Sequence, residues 1–401
     1  MKHKYLNMAL GLYLSYFLLG MINIILASNM SFLSEQLNVE KTDISLLISV
    51  VGVGHLLSIN ISGRFSDRYG RKPLVVAAAL LYMVFLIGIP LTSHYNIAMG
   101  LAFIAGICNS LLDSGTYPAL NEGFGEAAGT ATVLLKAFIS FGASLLPIMI
   151  NFLIIKELFY GLVFFIPAIL FLFNCLFLIK VTFPKHNEDV VTVQESTSSD
   201  AASSDGAKLW KEGAALILLG FSSVSLFTVV QTWLPTYGQE VLHLDKMKSI
   251  GLLSFYSTGG LISILLLAVL LKRTIKPITA IVIQPAFAFL ALLFLIINKN
   301  PTWLTVIAFF LGLFMSGIFQ LTVTVMIELF PHKKGVSVSY ISAAASIAFI
   351  VIPFITGLFI KYLGVSSVFM LDLVIAFIST FLALFIYVNN KRKQSKIILE
   401  K

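Results

Sequence analysis

Charge is what this sequence has least of. Asp, Glu, Lys and Arg make up 11% of its 401 residues, against roughly 25% in soluble domains, too few to cover a water-facing surface. Cysteine is nearly absent: Cys108 and Cys175 both lie in apolar runs, so neither a disulfide framework nor a metal site is supported. The chain has no Gly-x-x-x-x-Gly-Lys-Ser/Thr loop to cradle a nucleotide phosphate, no metal-ligand spacing and no nucleophile elbow. ATP-driven work, metal chemistry and enzymatic catalysis are therefore not expected, and no cofactor is.

What fills the chain is apolar residue, 58% of the total, with a mean hydropathy of +0.95. The formal net charge of +8 does not read as a nucleic-acid surface, because the basic residues sit between apolar blocks rather than on one face. A bilayer core of about 30 Å needs roughly 20 apolar residues per helix. On that ruler the chain divides into about twelve spans, near 6–28, 43–62, 74–92, 97–120, 131–154 and 160–182, then 213–236, 249–271, 277–297, 303–329, 338–360 and 366–388. The stretch 184–208 is different in kind: Asn187, Glu188, Asp189 and the run Ser196–Asp200 are too polar to pack, and read as a flexible linker. The expected plan is an all-α integral membrane protein, a six-helix half over 1–183, a linker over 184–208, a second half over 209–390 and a basic tail over 391–401. Met1–Lys4 is basic, but the first apolar run is long enough to span and no small-residue cleavage site closes it, so no cleaved signal is expected.

Orientation follows from Lys and Arg in the loops. With both termini on the cytoplasmic side, 20 of the 27 Lys and Arg residues fall inside, 6 fall outside, and Lys136 lies within a span. Both termini are therefore expected in the cytoplasm of a cell whose surface membrane holds the protein.

The stretch Asn109–Pro147 organises the rest. Ionised side chains are expensive in the bilayer core and face a bundle interior or a wet cavity. Asp113 lies about 11 Å from the inner end of span four and Lys136 about 9 Å into span five, at 1.5 Å per residue, so the two are expected to meet. Burial raises the proton affinity of a carboxylate and a nearby ammonium lowers it. Such a pair suits proton coupling, and it also reads as a structural ion pair joining spans four and five. Glu122, Phe124, Gly129 and Pro147 reappear at one constant offset as Glu328, Phe330, Gly335 and Pro353, whereas Asp113 and Lys136 map onto Phe319 and Ser342. Two similar halves are implied, with charge in only one.

The loop between spans two and three reads Gly63-Arg64-Phe65-Ser66-Asp67-Arg68-Tyr69-Gly70-Arg71-Lys72-Pro73. Its glycines are expected to turn the backbone, and on spacing alone it also reads as a generic basic inner loop. The string resembles the Gly-x-Leu-x-Asp-Arg-x-Gly-Arg-Arg/Lys signature of the major facilitator superfamily, with Phe65 in place of leucine. The resemblance extends over twelve spans, a linker and the repeat. It implies two pseudo-symmetric six-helix halves around a central cavity, working by alternating access. It also implies that Gly63, Asp67, Arg68, Gly70 and Arg71 serve a cytoplasmic gate, supported by Glu122 and Glu328. The matching loop Leu271–Pro277 keeps the charge but lacks the glycines and the aspartate.

Within the superfamily, Leu111–Pro118 is similar to the acidic fourth span of the fucose-permease-like branch, whose first-span aspartate has no equivalent between Asn23 and Asn29. The run Trp233-Leu234-Pro235-Thr236-Tyr237 reads equally as an interfacial belt or as part of a cavity mouth, and it resembles an element of organic-anion symporters. The span-four arginine and span-five Gly-x-x-x-Gly-Pro pattern of drug/proton antiporters are missing. The expected function is proton-coupled uptake of a small polar solute such as an organic acid or sugar. The alternative is a proton-driven exporter of drugs or metabolites. Asp113 would take the proton; Lys136, Tyr117, Asn109 and Gln320 would meet the substrate. His55, Asn60, Asn151, Asn174 and Gln284 read more readily as glue between helices, and Asp372 is placed near an outer end in water. The partners expected are a small-molecule substrate, protons and the lipid bilayer, without nucleic acid, around a monomer.

Overall fold

The computed structural model describes residues 4–184, 209–298, 300–330 and 334–399, and among these no strand occurs. The first half holds α1 (Leu6–Ser28), the short α2 (Met30–Leu37), α3 (Lys41–Tyr69), α4 (Arg71–Leu91), α5 (Tyr95–Phe124), α6 (Ala128–Ile155) and α7 (Leu162–Lys180). The second holds α8 (Ala214–Glu240), α9 (Lys246–Arg273), α10 (Pro277–Ile297), α11 (Pro301–Met315), α12 (Ile318–Leu329), α13 (Lys334–Leu363) and α14 (Val365–Leu399). Among the described residues, 12 helical stretches of 19 to 30 residues are long and apolar enough to cross a membrane, α11 and α12 together making one. In hydrocarbon, every backbone N–H and C=O must be satisfied internally, and helices are the local way to do it. The protein is an all-helical integral membrane protein with two pseudo-symmetric six-helix halves. The linker expected over 184–208 lies, from 185 onward, outside the described residues.

The halves are built alike. α1 and α8 are the innermost spans, with 78% and 67% of their apolar windows buried. Gly106 on α5 rests on the Val51 carbonyl of α3, and at the same relative place in the second half Gly312 on α11 rests on the Tyr256 carbonyl of α9. A Cβ at either position would collide with that oxygen. Helices in lipid gain nothing from excluding water from one another, so close backbone approach through glycine is what holds such pairs.

Four expectations change. The basic loop is shorter than its glycines suggested: α3 runs through Gly63 to Tyr69, and only Gly70, at φ +85°, makes the turn. Gly63 keeps helical geometry with open space beside it, so nothing there requires glycine. Span ten is discontinuous, broken at Ser316–Gly317 between α11 and α12. A Cβ at Gly317 would meet the Leu267 side chain and stand 2.8 Å from Gln284 Oε1. Finally, Asp372 does not reach water; it is fully buried in α14, and neither carboxylate oxygen has a hydrogen-bond partner among the described residues. The Trp233–Tyr237 string lies neither in a belt nor at a cavity mouth. Trp233 is buried and donates through Nε1 to Thr356 Oγ1 at 2.8 Å, and Tyr237 packs on Phe369 with ring centroids 4.6 Å apart.

Because the spans alternate, the chain reverses at two ends, one carrying Gly70 and the other Asn38, Thr92 and Gly364. Contacts between the halves gather toward the second end. Lys41 pairs with Glu240 at 2.7 Å and Lys361 with Glu40 at 3.4 Å. Ser45 donates to the Pro353 carbonyl at 3.0 Å, Asn151 to that of Met247 at 3.0 Å, and Ser254 to that of Ser144 at 2.8 Å. Below this seal the halves diverge around a cavity.

Candidate functional site

The cavity holds about 380 Å³ between the halves and is lined from both. A second space of about 350 Å³ adjoins it, sharing Tyr117, Lys136, Phe319 and Gln320, and extends past Thr132, Leu271 and Val338 toward the Gly70 end. The two spaces meet at Lys136.

Asp113 is carried by α5, and its side chain remains 31% accessible, so it faces the cavity rather than the protein. Its Oδ1 accepts a hydrogen bond of 2.5 Å from the Tyr16 hydroxyl on α1. Its Oδ2 lies 3.6 Å from His55 Nε2 on α3. Three helices thus converge on one carboxylate. Lys136, on α6, does not pair with it as expected. Among the described residues no ion pair within 4.0 Å joins them. Lys136 instead lines both spaces together with Tyr117. Tyr117 stands edge-on to Tyr16, ring centroids 6.0 Å apart. The physical reason is that equal depth on two helices does not fix their rotation, and the Asp113 oxygens are turned to Tyr16 and His55. Lys136, Tyr117, Tyr16, Asp113 and His55 thus share the first-half wall of the cavity.

Asn109 lines the cavity one turn along α5 and accepts through Oδ1 from the Tyr82 hydroxyl. Tyr82 is itself fixed by stacking on Phe171 at 5.1 Å. Gln320 lies two residues into α12, just past the break, and lines both spaces. Tyr16 escaped the sequence reading, although a signal existed: a tyrosine in the middle of a span is far from the interfacial belts where tyrosines concentrate. Asn151, Asn174 and Gln284 behave as helix-to-helix glue, Asn174 donating to the Gly11 carbonyl at 3.0 Å and to Ser15 at 2.8 Å, whereas His55, expected as glue, stands in the cavity beside Asp113 and Asn60 is exposed.

At the Gly70 end a second cluster centres on Arg71, the first residue of α4, which is 8% exposed. Its Nη1 donates to Asp67 Oδ1 at 2.6 Å and to Ser66 Oγ at 2.8 Å, while Nε and Nη2 both reach Glu122 Oε1, at 3.1 and 3.0 Å. This forked geometry is what a guanidinium offers and an ammonium does not. The Ser66 hydroxyl donates at 2.6 Å to the carbonyl of Ser114, the neighbour of Asp113. Arg68 is exposed over the Tyr69 ring at 5.3 Å, apart from this cluster. Lys72 donates to the Ile179 and Val181 carbonyls at 2.6 and 3.0 Å, satisfying the C-terminus of α7. Glu328, next to last in α12, has no cation within ion-pair distance among the described residues, unlike its first-half counterpart Glu122.

Twelve spanning helices in two like halves, with a central cavity charged on one wall, define a transporter that moves solute by exposing one site to each side in turn. The chain belongs to the Major Facilitator Superfamily, whose model matches residues 12–310 and 286–401. It is 45% identical over 98% of its length to the "Uncharacterized MFS-type transporter YfkL" of Bacillus subtilis (strain 168), covering 98% of that protein. It is 36% identical over 98% of its length to the "Inner membrane transport protein YdiM" of Escherichia coli (strain K12), covering 96% of it. Among solved structures, a D-xylose-proton symporter superposes with a TM-score of 0.76, spanning 96% of this chain and 97% of that one at 15% identity, a likeness of fold alone. The protein is a major facilitator transporter in a membrane.

Proposed function

We propose that this transporter carries a small organic acid inward together with a proton. The observation that carries the reading is the placement of one cation, Lys136, and one carboxylate, Asp113, on the same cavity wall, with Tyr16 bonded to the carboxylate and Tyr117 edge-on to Tyr16. In this reading the termini and the Gly70 end are cytoplasmic, the protein rests in the cell membrane as a monomer, and the state described is open inward. Residues 1–183 and 209–390 are the two rocking halves, joined by 184–208.

Asp113 takes a proton when the cavity faces outward. Neutral Asp113 attracts the Lys136 ammonium less, and Lys136 turns to the substrate carboxylate, assisted by Tyr117, Asn109 and Gln320. Proton and anion together leave the cavity without net charge, which removes the electrostatic obstacle to closing the halves over them. After rocking, both leave inward. Asp67, Arg71 and Glu122, with Gly70 as the turn and Arg68 at the surface, form the inner gate; Gly63 and Glu328 belong to its two arms. The Ser66–Ser114 bond ties that gate to the backbone beside Asp113.

The test is accumulation in proteoliposomes under an imposed proton gradient, acid outside. Organic-acid uptake with alkalinisation of the outer medium is expected. Asp113→Asn should retain exchange of preloaded acid and lose accumulation. Full gradient-driven accumulation by that variant removes Asp113 from the mechanism, and proton release triggered by cationic drugs would make the protein an exporter.

A further inference from the structure

The two walls of the cavity differ in kind. On the first-half wall stand His55, Asn109, Asp113, Tyr117 and Lys136. On the second-half wall, Phe227 from α8, Phe319 from α12 and Phe349 from α13 face the same space. Phe319 occupies the repeat position of Asp113, so where one half places charge the other places an aromatic ring. The second wall also has serines, but their protons are committed. Ser223 donates to the Gly220 carbonyl at 2.8 Å and Ser346 to that of Ser342 at 3.0 Å. That leaves Gln320 and Ser316 as the second half's readily usable polar groups there.

A polyhydroxylated solute needs donors and acceptors converging from all sides, because each unmatched hydroxyl it buries costs free energy. This cavity offers them chiefly from one side, with only Gln320 and Ser316 opposite. A ligand site of about 380 Å³ is at the small end of the range for small-molecule pockets, roughly 300–1,000 Å³. We infer that the substrate is an amphipathic monocarboxylate, its carboxylate on Lys136 and a single apolar or aromatic ring against Phe319, Phe349 and Phe227. The inference rests on the organic-acid reading above and narrows it, excluding sugars and sugar acids. The ring is the half's share of specificity: the first half recognises the charge and the second recognises the body.

The test is binding to the purified full chain in detergent at mildly acidic pH, by titration calorimetry, with four probes: 3-phenylpropionate, gluconate, glucose and succinate. Burying one ring is worth about tenfold to a hundredfold in affinity, so 3-phenylpropionate should bind at least about tenfold more tightly than gluconate. Phe319→Ala and Phe349→Ala should each weaken 3-phenylpropionate by about tenfold and leave gluconate within about twofold. Phe319→Leu, which keeps apolar volume and guards against misfolding, should retain most of the binding. Lys136→Gln should abolish binding of all three acids. Gluconate or glucose binding as tightly as 3-phenylpropionate overturns this inference alone, provided that gluconate still needs Lys136. Binding of no acid in a Lys136-dependent way overturns the inference and the organic-acid reading together.

Discussion

The Tyr16 hydroxyl donates to Asp113 Oδ1 at 2.5 Å across 97 positions of sequence, so the cavity carboxylate is held by the first span. α1 is also the most buried span, and two close contacts with α6, its own Gly20 on the Ile139 carbonyl and Gly142 of α6 on the Phe17 carbonyl, leave it little room to shift. A fixed donor on a central helix gives Asp113 one orientation, with Oδ1 toward Tyr16 and Oδ2 toward His55.

Removing that donor should therefore matter more than its single hydrogen bond suggests. Tyr16→Phe keeps the ring and its edge contact with Tyr117 and deletes the hydroxyl. Bonds to charged groups contribute about 1.5–3 kcal/mol, so proton-driven uptake should fall by about tenfold or more while thermal stability in detergent changes little. Uptake within twofold of the parent protein would show that Asp113 does not depend on Tyr16.

Arg71 is buried while both its acidic partners keep access to water, Asp67 at 57% and Glu122 at 29%. Arg71→Leu should be destabilising, though by less than the roughly 3–5 kcal/mol seen when a fully buried pair loses one partner, because both carboxylates can re-solvate. Arg71→Lys should recover only part, since an ammonium cannot serve Asp67, Ser66 and Glu122 at once. The melting temperatures of Arg71→Lys, Arg71→Leu and Glu122→Gln in detergent check this, with Arg71→Leu expected lowest.

The two glycines of the basic turn should respond oppositely. Gly63 lies inside α3 with open space at its Cβ, so Gly63→Ala should stabilise by up to about 1 kcal/mol and leave transport intact. Gly70 has φ +85°, so Gly70→Ala should cost about 1 kcal/mol or more and slow the transport cycle. Paired melting curves and uptake rates decide the matter, and a damaging Gly63→Ala would mean that the backbone there must unwind during transport.

Asp372 is fully buried with both oxygens unpartnered among the described residues. Burying a polar group without a hydrogen-bond partner costs stability. Asp372→Asn should fold as well as the parent, and Asp372→Leu should melt at an equal or higher temperature, as replacing buried polar groups by apolar ones often does. A large loss of transport in a well-folded Asp372→Asn would instead mark it as a second proton site.

The architecture was legible in the linear chain because lipid imposes a one-dimensional rule. A helix must carry about 20 apolar residues to cross, and the boundary at 277–297 agrees with α10 to the residue. The repeat, the Gly70–Arg71 turn and the presence of Asp113, Tyr117 and Lys136 in one cavity could likewise be anticipated, since helical rise converts residue number into depth. Depth says nothing of rotation about the helix axis or of what stands between two helices, and there the reading failed. It let Asp113 meet Lys136 where Asp113 turns instead to Tyr16 and His55, sent Asp372 to water, and turned the chain at Gly63. What sequence alone determined is how many helices cross and at what level each charge lies, because both follow from local composition. What only tertiary structure decided is which groups touch, which cavity wall is charged and which aromatic, and where span ten breaks, because those depend on packing among helices distant in the chain.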